Sequence, residues 1–127
     1  MVTRDDRPLL AVLDCASAPL VRDPLTADRA VRVAGVFKAL ADPVRLRLLS
    51  LIASHAGGEA CVCDLTPAFE VSEPTISHHL KTLREAGLVT SERRASWVFY
   101  RVVPEALTGL SGLLDPSGVA LPIGAPR

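Results

Sequence analysis

Signals that start and stop helices recur so often along this chain that only short helices fit between them. Thr26 is a ready N-cap, because its hydroxyl can accept a hydrogen bond from an unpaired backbone N–H of the first turn. Ala30, Val33, Ala34 and Phe37 then repeat at helical spacing, which predicts a helix over 27–40 with an apolar stripe. Asp42-Pro43 starts a second helix, with proline at the first position, where no N–H is needed. Val44, Leu48, Leu51 and Ile52 line one face of it until Gly57-Gly58 ends it. Ser72 caps a further helix that tolerates Pro74 in its first turn, buries Ile76, Leu80 and Leu83, and stops at Gly87. Pro104 opens a last one carrying Leu107, Leu110, Leu113 and Leu114. Between these last two helices, Leu88 to Glu92 and Trp97 to Val103 predict two strands around Arg93-Arg94-Ala95-Ser96, a β-hairpin with a basic tip.

Between the second helix and Ser72 the chain carries CVCDLTPAF. Pro67 has no backbone N–H, so it belongs in a first turn, and a short helix capped by Asp64 puts it at the third helical position. Cys61 and Cys63 then lie just outside that helix. Residues two apart point to the same side of an extended segment. In a continuous helix they would diverge by about 200°. The expected geometry therefore lets both sulfurs reach one guest, and thiolates select soft ions. The plainer alternative for all three cysteines is a set of small buried apolar groups.

With 127 residues the chain is one domain with a modest core, and at 4% aromatics that core must be aliphatic. The expected division is an N-terminal arm over 1–25 carrying Cys15, a folded unit over 26–114 and a flexible tail over 115–127. No apolar run approaches the roughly 18 residues of a membrane span, and acidic residues interrupt the N-terminus where a signal peptide would need none. A cytoplasmic setting is expected, with the three cysteines reduced, and an odd thiol count argues against a disulfide framework. Fourteen basic and fourteen acidic residues cancel, which counts against nucleic acid as a partner. The distribution softens that objection: Lys81, Arg84, Arg93, Arg94 and Arg101 face only Glu85 and Glu92 over the stretch 81–101. No nucleophile–base constellation, phosphate loop or paired-carboxylate site is visible, so no enzyme is expected.

The order helix, helix, helix-turn-helix, hairpin, helix is that of a winged helix-turn-helix, mainly α with a small β-hairpin. FKALADPVRLRLLSLI, CVCDL, VSEPTISHHLKTLREAGLV and ERRASWVFYRV, in that order, resemble the ArsR/SmtB family of metal-sensing repressors, most of all its actinobacterial arsenic-responsive branch. The resemblance covers roughly residues 30–105. It implies a homodimeric DNA-binding repressor that leaves double-stranded operator DNA when an inducer binds. Dimerisation is then expected through the first and last helices, with Val33, Phe37, Leu107, Leu110 and Leu114 at the contact.

Under that resemblance, Thr75, Ser77 and His78 have short polar tips suited to base edges, while Lys81, Arg93 and Arg94 would neutralise phosphates. Glu73 stands where relatives often carry Gln, and it would alter operator preference or favour the helix N-terminus. Cys61 and Cys63 match the family's thiolate site residue by residue, and Cys15 is the expected third ligand. Three sulfurs without a clear fourth ligand suit trivalent arsenic or antimony, whereas structural zinc usually takes four ligands. No organic cofactor and no membrane partner are expected. A cadmium-, lead- or zinc-responsive repressor, and a thiol redox sensor on the same scaffold, are the alternatives. His78-His79 is not expected to bind metal, since adjacent helical residues do not face one another, and His79 is expected to pack beside the buried stripe.

Overall fold

The computed structural model describes residues 19–119. Cys15, most of the expected arm and most of the expected tail lie outside the described residues. Five α-helices and three strands follow one another as α1 (Ala27–Leu40), α2 (Pro43–Ser54), β1 (Glu59–Cys61), α3 (Val62–Leu65), α4 (Glu73–Glu85), β2 (Val89–Arg94), β3 (Trp97–Val102) and α5 (Pro104–Leu113). Short 3-10 turns cover Ala56–Gly58 and Thr66–Ala68.

The caps act where the sequence puts them. Thr26 accepts from Arg29 N–H, Asp42 from the N–H groups of Val44 and Arg45, and Ser72 from Thr75 N–H. Gly87, at φ 84°, ends α4 in the left-handed region. Its N–H donates to Arg84 C=O while Leu88 N–H donates to Leu83 C=O, a Schellman pair that satisfies two end carbonyls.

Ile76, Leu80 and Leu83 are fully buried, as the α4 pattern predicts. They meet Leu48 and Ile52 of α2 and Leu65 of α3 in an aliphatic core. On α1 the stripe is displaced from expectation. Val33, Val36 and Ala39 are buried, while Ala34 and Phe37 face outward and Val31 is 73% exposed. This helix has two apolar edges, and apolar spacing alone does not say which edge a monomer covers. On α5, Leu110 and Leu113 are buried and Leu107 and Leu114 are exposed.

Two local expectations are corrected. The hairpin strands run to Arg94 and start at Trp97, so only Ala95 and Ser96 form the tip and both arginines lie within β2. Ala95 takes φ 57°, a left-handed conformation that a two-residue hairpin turn requires at its first central position. The sheet also has a third strand: β1 pairs antiparallel with β3, giving the order β1-β3-β2, with Glu59 opposite Arg101 and Cys61 opposite Phe99. Three residues are too few to show an alternating pattern, so long-range pairing alone defines β1. Among the described residues, no helix is long and apolar enough to cross a membrane.

Candidate functional site

β1 ends on Cys61, and that residue is itself the cap of α3: Cys63 N–H donates to Cys61 Sγ at 3.1 Å. The helix therefore begins at Val62 and not after Asp64. Pro67 falls in the separate 3-10 turn that follows, where its missing N–H is equally harmless. Cys61 is extended (φ −74°, ψ 146°) and buried, at 4% exposure, while Cys63 sits exposed in the first helical turn. Their Cα atoms are 5.1 Å apart and their sulfurs are joined as a disulfide. The convergence of both side chains was expected; the bond between them was not. A strand-to-helix bend at Val62 brings the sulfurs together, where a purely extended pair had been expected.

Cys61, Val62 and Cys63 line one side of a cavity of about 270 Å³. Its other walls are Glu73 and Ser77 of α4, then Ser96, Trp97, Val98 and Tyr100 of the hairpin. Glu73 and Ser77 are four residues apart and so share a helix face. The thiol pair, the first turns of α4 and the hairpin tip thus enclose one space. Beside it, His55 ends α2 and its Nε2 lies 3.9 Å from Asp64 Oδ2, both side chains half exposed. Among the described residues, no group of three or more His, Cys, Asp and Glu is placed to hold a metal.

The remaining polar residues of α4 divide by direction. His78 and Lys81 are exposed on its outer face. Thr75 is half-buried, its hydroxyl 3.0 Å from that of Ser72, so it belongs to the helix start. His79 is half-buried as expected, and Arg45 Nη1–H donates to its Nδ1 at 3.2 Å. On the hairpin, Arg93 is exposed. Arg94 is not free: it donates to both carboxylate oxygens of Glu59 (2.7 and 3.1 Å) and to Glu92 (2.9 Å), and its guanidinium lies 4.5 Å from the centre of the Phe99 ring. Arg101 donates to Glu59 at 2.7 Å from the other side. Hydrogen bonds from Arg94, then the charges of both arginines, hold the Glu59 carboxyl below its ordinary value of 4.5, and the Arg94 guanidinium is driven further upward by the same carboxylates. Three residues of this site carried no signal that sequence reasoning used. Glu59 and Tyr100 acquire their roles only through the β1–β3 pairing, and Trp97 read simply as a strand residue.

Helix-turn-helix α3–α4 followed by the β2–β3 hairpin defines a winged helix-turn-helix. The family described as "Bacterial regulatory protein, arsR family" matches residues 42–91. The arsenic resistance transcriptional regulator ArsR1 of Pseudomonas putida is 49% identical over 79 residues, covering 62% of this chain and 60% of that protein's own length. The arsenical resistance operon repressor of Bacillus subtilis is 43% identical over 74 residues, covering 58% of this chain and 69% of that protein. Among solved structures, the AntR antimony-specific transcriptional repressor matches with a TM-score of 0.59 at 34% identity, covering 71% of this chain and 80% of that one. The chain belongs to the arsR family of bacterial regulatory proteins. It is a transcriptional regulator of the repressor type and not an enzyme.

Proposed function

We propose that this chain is a homodimeric repressor that holds operator DNA through α4 and the β2–β3 wing and releases it when trivalent arsenic or antimony binds Cys61, Cys63 and Cys15. The observation that carries this reading is the single cavity shared by the thiol pair, α4 and the wing tip. A metalloid held by the two sulfurs sits against Glu73 and Ser77 on one side and Ser96 and Trp97 on the other. It therefore acts on the spacing between the two DNA-reading elements directly. Couplings of this kind amount to about 1–3 kcal/mol, a 5- to 150-fold loss of DNA affinity. The names of the P. putida and B. subtilis relatives and of the antimony-specific structural neighbour support the choice of ion. Reduced thiols are required, which suits a cytoplasmic protein.

On the DNA side, His78 and Ser77 are assigned to base edges, and Lys81 and Arg93 to phosphates. Thr75 contributes through the helix start it shares with Ser72. Glu73 borders the cavity, and its carboxylate is assigned to sensing the occupant as well as to the DNA face. Arg94, already paired with two carboxylates, is assigned to fixing the wing onto β1 instead of to a phosphate. The outward edges of α1 and α5, with Phe37, Leu107 and Leu114, are assigned to the dimer contact.

The test compares wild type with Cys63→Ser. Arsenite should release the reduced wild-type protein from its promoter and leave the variant bound, as read by fluorescence anisotropy of labelled DNA. Release of both would move the inducer site elsewhere. A second reading, a thiol redox switch in the same place, is favoured by the bond between Cys61 and Cys63. It predicts release by peroxide and recapture after a dithiol reductant, with arsenite inert.

A further inference from the structure

We infer that the cavity beside Cys61 and Cys63 accepts trivalent arsenic carrying one organic substituent, with the two sulfurs holding the metalloid and the wing wall holding the substituent. This rests on the inducer reading above and narrows its ligand class. Two observations carry it. First, the cavity measures about 270 Å³. A water molecule's share of liquid volume is roughly 30 Å³, so a single bare metalloid atom leaves most of the space empty. Second, the part of the wall away from the sulfurs is organic in character: the Trp97 indole, the Val98 side chain and the buried Tyr100 ring, with Val62 beside the thiols. Glu73 is the one charged residue lining this cavity, so a neutral apolar substituent is favoured over an anionic one.

The valences agree with the sulfur count on these two residues. Trivalent arsenic with one carbon bond has two valences left, and Cys61 and Cys63 supply two sulfurs within one turn of chain. With phenylarsine oxide as the reagent, two S–H bonds break and two As–S bonds form. The oxide leaves as water, and arsenic stays trivalent. The Cys61–Cys63 bond must first be opened by a dithiol reductant, which is itself oxidised to a cyclic disulfide.

The experiment uses the full chain with Cys15→Ser, reduced with dithiothreitol, desalted anaerobically and bound to its promoter DNA. Methylarsonous acid, phenylarsine oxide and arsenite are titrated separately. Trp97 is the sole tryptophan, so its emission reports occupancy of the cavity while DNA anisotropy reports release. The expected result is one-to-one binding of phenylarsine oxide with a change in Trp97 emission, DNA release, and an affinity roughly tenfold above the methyl compound because the ring buries more apolar surface. Chelation by two thiols is the same for both reagents, so their ratio isolates the wall. Trp97→Ala in the same background should bring the ratio close to one. An unchanged ratio in that variant overturns the inference. Should Trp97→Ala fail to fold, the intact wall decides: phenyl binding no tighter than methyl overturns it. Arsenite acting on wild type while phenylarsine oxide leaves the Cys15→Ser complex intact defeats this inference alone. No release of wild type by any of the three defeats the reading beneath it.

Discussion

Arginine 94 and arginine 93 are neighbours with opposite duties. Arg93 projects into solvent, whereas Arg94 spans Glu59 and Glu92 and lies on Phe99. A charge already shared with two carboxylates has little to offer a phosphate, while a solvated one displaces counterions when DNA binds. Replacing Arg93 or Lys81 with Ala should each lower the slope of log affinity against log salt by about 1. Arg94→Ala should leave that slope unchanged and loosen the wing, seen as faster amide exchange in β2. The acid side of stability follows from the same carboxylates. Glu59 is held below its ordinary 4.5 by hydrogen bonds from Arg94, and Asp42 below its ordinary 3.8, chiefly by the backbone N–H of Arg45. A folded-state value below the unfolded one means that the contribution is fully present above those ordinary values and is lost as pH falls through the depressed ones. Thermal unfolding should therefore weaken below roughly pH 4, starting from those reference values. Asp42→Asn and Glu59→Gln should flatten that decline; an acid limb as steep as wild type in both variants would refute the assignment.

At the scale of elements, α4 links stability and function on opposite faces. Leu80 is fully buried between α2 and the sheet, so Leu80→Ala should cost roughly 2–5 kcal/mol. His78→Ala, on the outer face, should leave the denaturation midpoint nearly unchanged and weaken specific DNA binding; chemical denaturation and operator titration separate the two. This helix was legible from sequence because its cap, its stripe and its terminating glycine all lie within it. The segment before it was less so. Val62–Leu65 begins three residues earlier than Pro67 suggested, because Cys61 is pinned by pairing with Phe99 and its sulfur takes over the capping role that Asp64 was given. Local chemistry cannot reveal a strand that exists only because residues some forty positions away lie beside it. The thiol pair was legible as a pair, and its convergence survived this error because the bend at Val62 brings the sulfurs together. The cavity was not legible, since its walls come from three separate stretches of chain.

For the whole molecule, the described fold leaves apolar groups uncovered at both ends of the domain. Val31 and Phe37 project from α1 and Leu107 and Leu114 from α5, while the aliphatic core is complete without them. The turn around Leu20 is tied to α5, its N–H donating to Leu113 C=O at 3.0 Å, so the chain leads toward the unseen Cys15 from beside that helix. A dimer closed by α1 and α5 would present two α4 helices to successive major-groove segments, about 34–36 Å apart. Phe37→Glu should then shift the protein toward monomer in sedimentation velocity and weaken operator binding together; a dimer that persists unchanged would place the contact elsewhere. These outward residues were readable as a surplus of aliphatic side chains, but their division between core and contact required the fold. The account as a whole stands on one energetic link, between a guest at Cys61 and Cys63 and the hold of α4 and the wing on DNA. The most direct measurement is the operator affinity of the fully reduced protein, at one fixed salt concentration, with and without saturating arsenite. The account predicts a 5- to 150-fold fall in affinity, the range of typical allosteric couplings of about 1–3 kcal/mol. Equal affinity in the two conditions, with arsenite shown to be bound, would contradict it.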